Sequence, residues 1–243
     1  MSDQKKFQAT DEAKAKASQL RLFAILAWLI AIAGEVFAIL KLINNETLTW
    51  LIVAIVLILI LAIAGNLLWK KANHIDPPSE ANAVSFFLKS QLGAIMSVLA
   101  FLPLVILIFT NKNVNGKTKG IAGTVAIVAL LAAGITGIDF NPASIEKYTE
   151  EINAQTDSLK QITGTDHVFW SIAGNKYHIY KDCQHIKNSE QIFDGTIKDA
   201  WESRKIDNGE LCKTCKVRAE KQKENNGGIF EQIKDVLVGD SVQ

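Results

Sequence analysis

Residues 48–69 read LTWLIVAIVLILILAIAGNLLW. The run holds no charged residue, and apolar side chains would cover every face of a helix drawn through it. It therefore lacks the 3.6-residue amphipathic period of a surface helix and the alternation of a half-buried strand. About 20 residues at 1.5 Å each cover the ~30 Å of a bilayer's hydrocarbon. No water is present there to satisfy the backbone, so the run is predicted to be a transmembrane helix.

Working outward, three further runs have the same character: Leu22 to about Ile43, Leu92 to Thr110, and about Gly120 to Ile138. Four such runs predict a four-helix transmembrane domain over 22–140. The first is too long for the apolar core of a signal peptide and follows a charged 21-residue tail, so it reads as a span. The whole-chain averages conceal this. The 243 residues are 49% hydrophobic with a formal net charge of +1, and the mean hydropathy is +0.15. Residues 1–140 carry 12 Lys/Arg against 8 Asp/Glu, and residues 141–243 carry 14 against 17. A basic apolar half thus precedes a mildly acidic polar half. This composition excludes a disordered chain, a collagen-like fibre and a disulfide scaffold.

Lys and Arg set the expected orientation. Five precede the first span (Lys5, Lys6, Lys14, Lys16, Arg21), and three lie in the second loop (Lys70, Lys71, Lys89). Lys147 and Lys160 follow the last span. The first loop holds only Lys41, and the third holds Lys112, Lys117 and Lys119. The balance predicts a multi-pass protein of the cell (inner or plasma) membrane with N- and C-termini cytoplasmic.

Glu35, in IAGEVFAIL, is the one ionisable residue deep in a span. A carboxylate there is costly unless protonated or paired. It is either an ion or proton relay or a lipid or ligand contact, or a helix-packing carboxyl held neutral or paired across a subunit interface. Small residues recur in the fourth span (Gly120, Gly123, Ala126, Ala129, Ala133, Gly134, Gly137) and permit close helix approach. Pro103 is expected to kink the third span. His74 reads as a solvated loop histidine. Residues 81–91 read as an interfacial stretch with Phe86, Phe87 and Leu88 at the membrane surface.

After the last span, Asn141 and Pro142 suit the first positions of a helix. Ile145, Tyr148, Ile152, Gln155, Leu159 and Ile162 follow at alternating spacings of 3 and 4, an a/d seam. Residues 141–163 are therefore an amphipathic or coiled-coil linker helix, either an oligomerising stalk or a helix lying on its own module or the bilayer. Gly164 ends it.

All three cysteines and three of the four histidines fall between His167 and Cys215. Val168–Ile172 and Lys176–Tyr180 predict a hairpin around Ala173, Gly174 and Asn175, and Thr196 can cap a helix to about Lys205. Cys212 and Cys215 form a Cys-x-x-Cys knuckle. His178 and Cys183 (His-x4-Cys) complete a Cys3His shell for structural zinc, with His185 as the alternative fourth ligand. His167 lies too far back along the hairpin. A disulfide would leave one cysteine over in a reducing compartment. A module of residues 164–218 is also small enough to need a metal staple. Residues 219–243 are a hydrophilic linker and an amphipathic C-terminal helix, with Ile229, Phe230, Ile233, Val236 and Leu237 on one face.

The pattern Gly174-x-x-Tyr177-His178-x4-Cys183, then a helix, then Gly209-x-x-Cys212-x-x-Cys215 resembles the small β-β-α zinc-binding modules similar to the Ada metal-binding domain. The resemblance covers about residues 166–217 and implies a bound zinc ion. Ada-type domains use four cysteines; His178 stands at the first position here, which departs from their methyl-acceptor thiolate. Related modules occur as terminal additions on bacterial nucleases and on membrane or envelope proteins.

No Gly-x-Ser-x-Gly, phosphate loop, paired His–Glu metal motif or intramembrane catalytic pair is present, so no enzymatic activity is expected. The expected function is a membrane protein presenting a cytosolic structural-zinc module as a binding or adaptor head. The alternative is a small channel or transporter subunit using Glu35, with the zinc module as regulatory domain. Besides the lipid bilayer, the expected partners are a second copy of the chain or another protein. Phe169, Trp170, Tyr180 and Trp201 are either that head's contact residues or its core. An acidic half speaks against nucleic acid, and no small-molecule substrate is indicated.

Overall fold

A computed structural model gives the structure of residues 6–171, 174, 176–203 and 209–224. The expected amphipathic helix at 229–237 and the end of the expected helix near Lys205 lie outside the described residues. The chain divides into two compact units, residues 11–145 and residues 1–10 with 146–243.

The first unit holds α1 (Asp11–Lys41), α2 (Leu48–Ile75), α3 (Ala83–Ser90), α4 (Leu92–Thr110) and α5 (Gly116–Gly137). By length and composition α1, α2, α4 and α5 can each cross a membrane. Two of them outrun their apolar stretches. α1 starts at Asp11 because residues 11–21 are strong helix formers, with Asp11 and Glu12 at the positive end of the helix dipole. α2 continues past Trp69 to Ile75 and stops short of Pro77, whose ring disfavours helix at the preceding residue. His74 therefore lies in a helix, its Nε2 3.9 Å from Asp139 Oδ2. α5 begins at Gly116, four residues before the expected start, because the Asn115 side chain caps it by accepting from the Thr118 amide at 2.8 Å.

Small residues face inward in this unit. α1 buries Ala17, Ala24, Ala31 and Ala38, one every seven residues, and α5 buries Ala122, Ala126, Ala129 and Ala133. Leu51, Ile55, Phe101 and Leu104 of α2 and α4 fill between them. A Cβ built on Gly137 would lie 2.5 Å from the Ala94 amide nitrogen, so α4 and α5 meet backbone to backbone there. Gly120 and Gly134, by contrast, face open space. Leu22, Phe23, Leu29, Phe37 and Leu57 point outward and are exposed.

One buried residue ties all four long helices. Asn66 of α2 accepts from Trp28 Nε1 (3.2 Å) and donates to Ser97 Oγ (3.0 Å), the Ala133 carbonyl (2.9 Å) and Thr136 Oγ1 (3.3 Å). At one end of the bundle Arg21 donates to Asp76 Oδ2 at 2.9 Å, and Gln91 exchanges two hydrogen bonds with the backbone of Asp139. At the other end Asn45 bridges to the backbone of Asn113 and Asn115.

The second unit is built on α6 (Ile145–Thr163), which ends at Gly164 with φ +76°, the left-handed conformation glycine adopts freely. The helix starts three residues after Pro142. The Asn141 amide donates to Asp139 Oδ1 in a turn, and α6 begins at Ile145, so Asn141 stands three residues ahead of the N-cap position. Then follow β1 (His167–Ser171), β2 (Lys176–Tyr177), β3 (Ile192–Thr196), α7 (Ile197–Glu202), β4 (Glu210–Leu211) and α8 (213–224). β1 pairs antiparallel with β3, placing Trp170 opposite Phe193. β2 pairs parallel with β4. The two ladders meet in a single antiparallel bridge, Phe169 with His178, closed by two 2.7 Å hydrogen bonds. The expected hairpin thus survives as one bridge pair, and the main partner of β1 is β3, which sequence reading missed. Asp194 and Gly195 are poor strand formers and hide it. Thr196 and Asp199 form a reciprocal capping box for α7.

The segment 6–10 is part of this second unit. Phe7 is 1% exposed. Its ring meets Tyr148 edge-on at 5.2 Å, and Tyr148 meets Trp201 at 5.2 Å. The Phe7 amide donates to Thr149 Oγ1 (2.9 Å), and the Thr10 amide to the Glu202 carbonyl (3.1 Å). Tyr148, Ile152 and Leu159 of the predicted seam are buried inside this unit, and Gln155 accepts from the Tyr177 hydroxyl at 2.7 Å. The chain itself covers the seam.

Candidate metal centre

Each ligand-bearing residue is held by a different local device. His178 sits in the bridge with Phe169, fixed on both its amide and its carbonyl. Cys183 opens the turn after β2, its amide donating to the Tyr180 carbonyl (3.1 Å) and its carbonyl accepting from Ile186 and Lys187. Cys212 follows β4, and its amide donates to the Tyr177 carbonyl at 2.9 Å, which extends the parallel ladder to the level of His178. The Cys212 carbonyl accepts from the Lys216 amide at 3.0 Å, which starts α8 and places Cys215 in its first turn.

The result is one buried group. The ligand atoms of His178, Cys183, Cys212 and Cys215 all lie within 4.8 Å of one another. His178 is 3% exposed and Cys215 1%. Cys215 Sγ lies 3.7 Å from His178 Nδ1. Tetrahedral Zn–S and Zn–N bonds of ~2.3 and ~2.0 Å put two such atoms about 3.5 Å apart. Ile186, Phe169, Ile179, Ile192 and Leu211 close around the cluster.

Electrostatics follow from that burial. Desolvation, with a lesser contribution from His185, lowers the His178 pKa to about 4, so the imidazole is neutral at pH 7 and has a free lone pair. Burial raises the Cys215 thiol to about 12, against the backbone amides of Tyr180 and Ile179. Burial also pushes Cys212 up, but the amides of Cys215 and Thr214 and the thiols of Cys183 and Cys215 outweigh it and hold it below the ordinary thiol value. A cation at the centre of the four would favour the thiolate of every cysteine.

His185 lies outside the group. It is exposed, its Nε2 is 3.2 Å from Thr214 Oγ1, and its ring centre is 6.4 Å from that of His178. His167 faces Asp194 at 3.4 Å. Trp170 and Trp201 are buried in the core. Tyr180 is capped by Arg218, 4.1 Å above its ring, which also makes a two-oxygen pair with Asp182 at 3.0 Å. Arg218 thereby pins α8 to the Cys183 turn.

Glu35 is 3% exposed, and its Oε1 accepts from the Leu104 amide at 3.1 Å. Leu104 follows Pro103, where the missing N–H and the ring disturb the helix ladder. The carboxyl is thus engaged between α1 and α4 of one chain. Two features that organise the fold were missed in the sequence. Asn66 is signalled only as the polar residue ending a long apolar run, and Phe7 only as a lone aromatic in a charged tail.

Fold and site define a class of chain: four helices of membrane-crossing length joined to a small helix-and-sheet unit with a buried Cys3His group that can hold a metal ion. Comparison with protein-family models, curated proteins and solved structures gave no match.

Proposed function

We propose that this is a multi-pass protein of the cell membrane whose second unit is a structural zinc module in the cytoplasm, serving as a protein-binding or adaptor head. The buried Cys3His group carries the reading. Three thiolates and a neutral imidazole at tetrahedral spacing are the donor set of structural zinc. The closed shell leaves no open position for a substrate. It needs reduced thiols, which the cytoplasm maintains.

Topology gains support from Phe7. Residues before the first long helix and residues after the last share one core. Four crossings put both on the same side, and the Lys/Arg balance makes that side the cytoplasm. The outward-facing Leu and Phe of the first unit suit lipid contact. The acidic second half favours a protein partner over nucleic acid.

Elemental analysis of the detergent-purified full chain tests the centre: one zinc per chain is expected, and none refutes it. In intact cells a cysteine introduced by K112C should react with an impermeant reagent, while one introduced by K187C should stay unlabelled; the reverse pattern overturns the topology. Crosslinking from position 187 should trap a protein partner that is lost on metal removal. A pattern unchanged by chelation refutes the adaptor role.

A further inference from the structure

A groove of about 460 Å³ runs along the outer face of α1 and α2, lined wholly by apolar residues. Its floor is made by small residues, Gly34 and Ala54, and its rim by Phe37, Trp50, Leu57 and Ile30, all exposed. A Cβ on Gly34 would lie 3.3 Å from Ile58, so the helices close under the notch. We propose that this groove is the binding site of one anionic glycerophospholipid, with an acyl chain in the notch and the phosphate at Lys41.

Length selects this occupant. From Leu42 to Ile30 the lining spans about 18 Å of α1, and from Trp50 to Leu61 about 17 Å of α2. One leaflet is ~15 Å of hydrocarbon. The groove therefore starts at the membrane surface and stops near the midplane, as an acyl chain does. A helix of a second copy would need a seam across both leaflets.

The open end supplies the rest. Lys41 is the last residue of α1, four after Phe37 and seven after Gly34, so it stands on the groove's own stripe. Helical side chains lean toward the preceding turn, which here is that of Phe37. Lys41 is exposed and has no ion pair among the described residues. Trp50 is 66% exposed at the start of α2, where an indole meets the headgroup level. An ammonium at that level attracts a phosphate.

The inference rests on the membrane reading, and its test separates the two. If the protein fractionates with membranes and needs detergent for extraction, the membrane reading stands whatever the groove holds. Native mass spectrometry should then find one phospholipid retained per chain. A54F, which fills the notch from its partly buried floor, should lose it while keeping its helical circular dichroism in detergent. Exchange against 1:1 phosphatidylglycerol–phosphatidylcholine vesicles should enrich phosphatidylglycerol several-fold, and K41Q should retain lipid without that enrichment. No retained lipid in the wild type, or equal retention in A54F, overturns the site. Undiminished enrichment in K41Q overturns the headgroup assignment.

Discussion

In the unit of residues 11–145, rows of alanine line the inside of α1 and α5, and many of the large apolar side chains face outward. In the unit built from residues 6–10 and 146–224 the order is reversed. Phe7, Tyr148, Trp170 and Trp201 are inside, and charged side chains such as Arg218 and Asp182 are at the surface. The first unit is locked by close helix contact and the buried Asn66; the second by edge-on aromatic contacts and four metal-type ligands. Chains fold against their solvent. Where the surroundings are apolar, burying a leucine gains little, and close packing with shared hydrogen bonds must hold the helices. Where they are aqueous, apolar burial drives folding, and a unit this small adds a staple.

The largest expected effect breaks one side of that contrast alone. C212S with C215S removes half the proposed shell. Bound zinc should fall from one per chain to none, and residues 146–224 should become protease-sensitive, because metal affinity in such sites is folding free energy. Circular dichroism should still report the long helices; their collapse would show that the two units do not stand independently. F7A should destabilise the second unit by about 3–5 kcal/mol, the usual cost of emptying a buried aromatic site, read as a lower melting temperature for zinc release. The same substitution should leave the first unit's unfolding in detergent unchanged.

Acid sharpens the contrast further. The lowered His178 pKa means that the unfolded chain binds a proton the folded one does not, between its ordinary 6.5 and about 4. Stability of the second unit should therefore be full above pH 6.5 and fall as pH drops through that window, levelling off below about 4. Tryptophan fluorescence of the metal-stripped full chain against pH measures it; with zinc bound, acid must protonate the three thiolates as well, so release follows all four ligands. The first unit has no counterpart to this histidine at its centre. N66A should cost it about 1–2 kcal/mol, the range for interhelical hydrogen bonds in membranes, with zinc content untouched. H185A should change neither zinc content nor stability beyond about 0.5 kcal/mol. A drop in zinc there would return His185 to the shell.

The legible parts of this molecule are those where a local pattern decides the outcome. Unbroken apolar runs marked the four long helices, and α4 matches Leu92–Thr110 at both ends because polar residues flank it closely. The ligand group was legible because Cys-x-x-Cys and His-x4-Cys are short-range spacings. What stayed hidden was set at long range. β3 pairs with β1 through a stretch holding Asp194 and Gly195, so propensity argued against it. The a/d seam of α6 was correctly periodic, but no local feature says whether a partner helix or the chain itself covers it. Tyr148 and Gln155 settle that by touching Phe7 and Tyr177.

Phe7 also imposes an order of events. Its contacts bridge 142 residues to Thr149, and its neighbour Gln8 reaches 194 residues to Glu202. A ribosome adding 5–20 residues per second needs roughly 10–40 s to cover the longer of those gaps. Throughout that interval the earlier-made segment lacks part of the core it enters. Completion of the second unit is thus a post-synthetic docking step, slowed by closing a long chain loop. A bulky fusion ahead of residue 6 would act on that step more than on the finished protein.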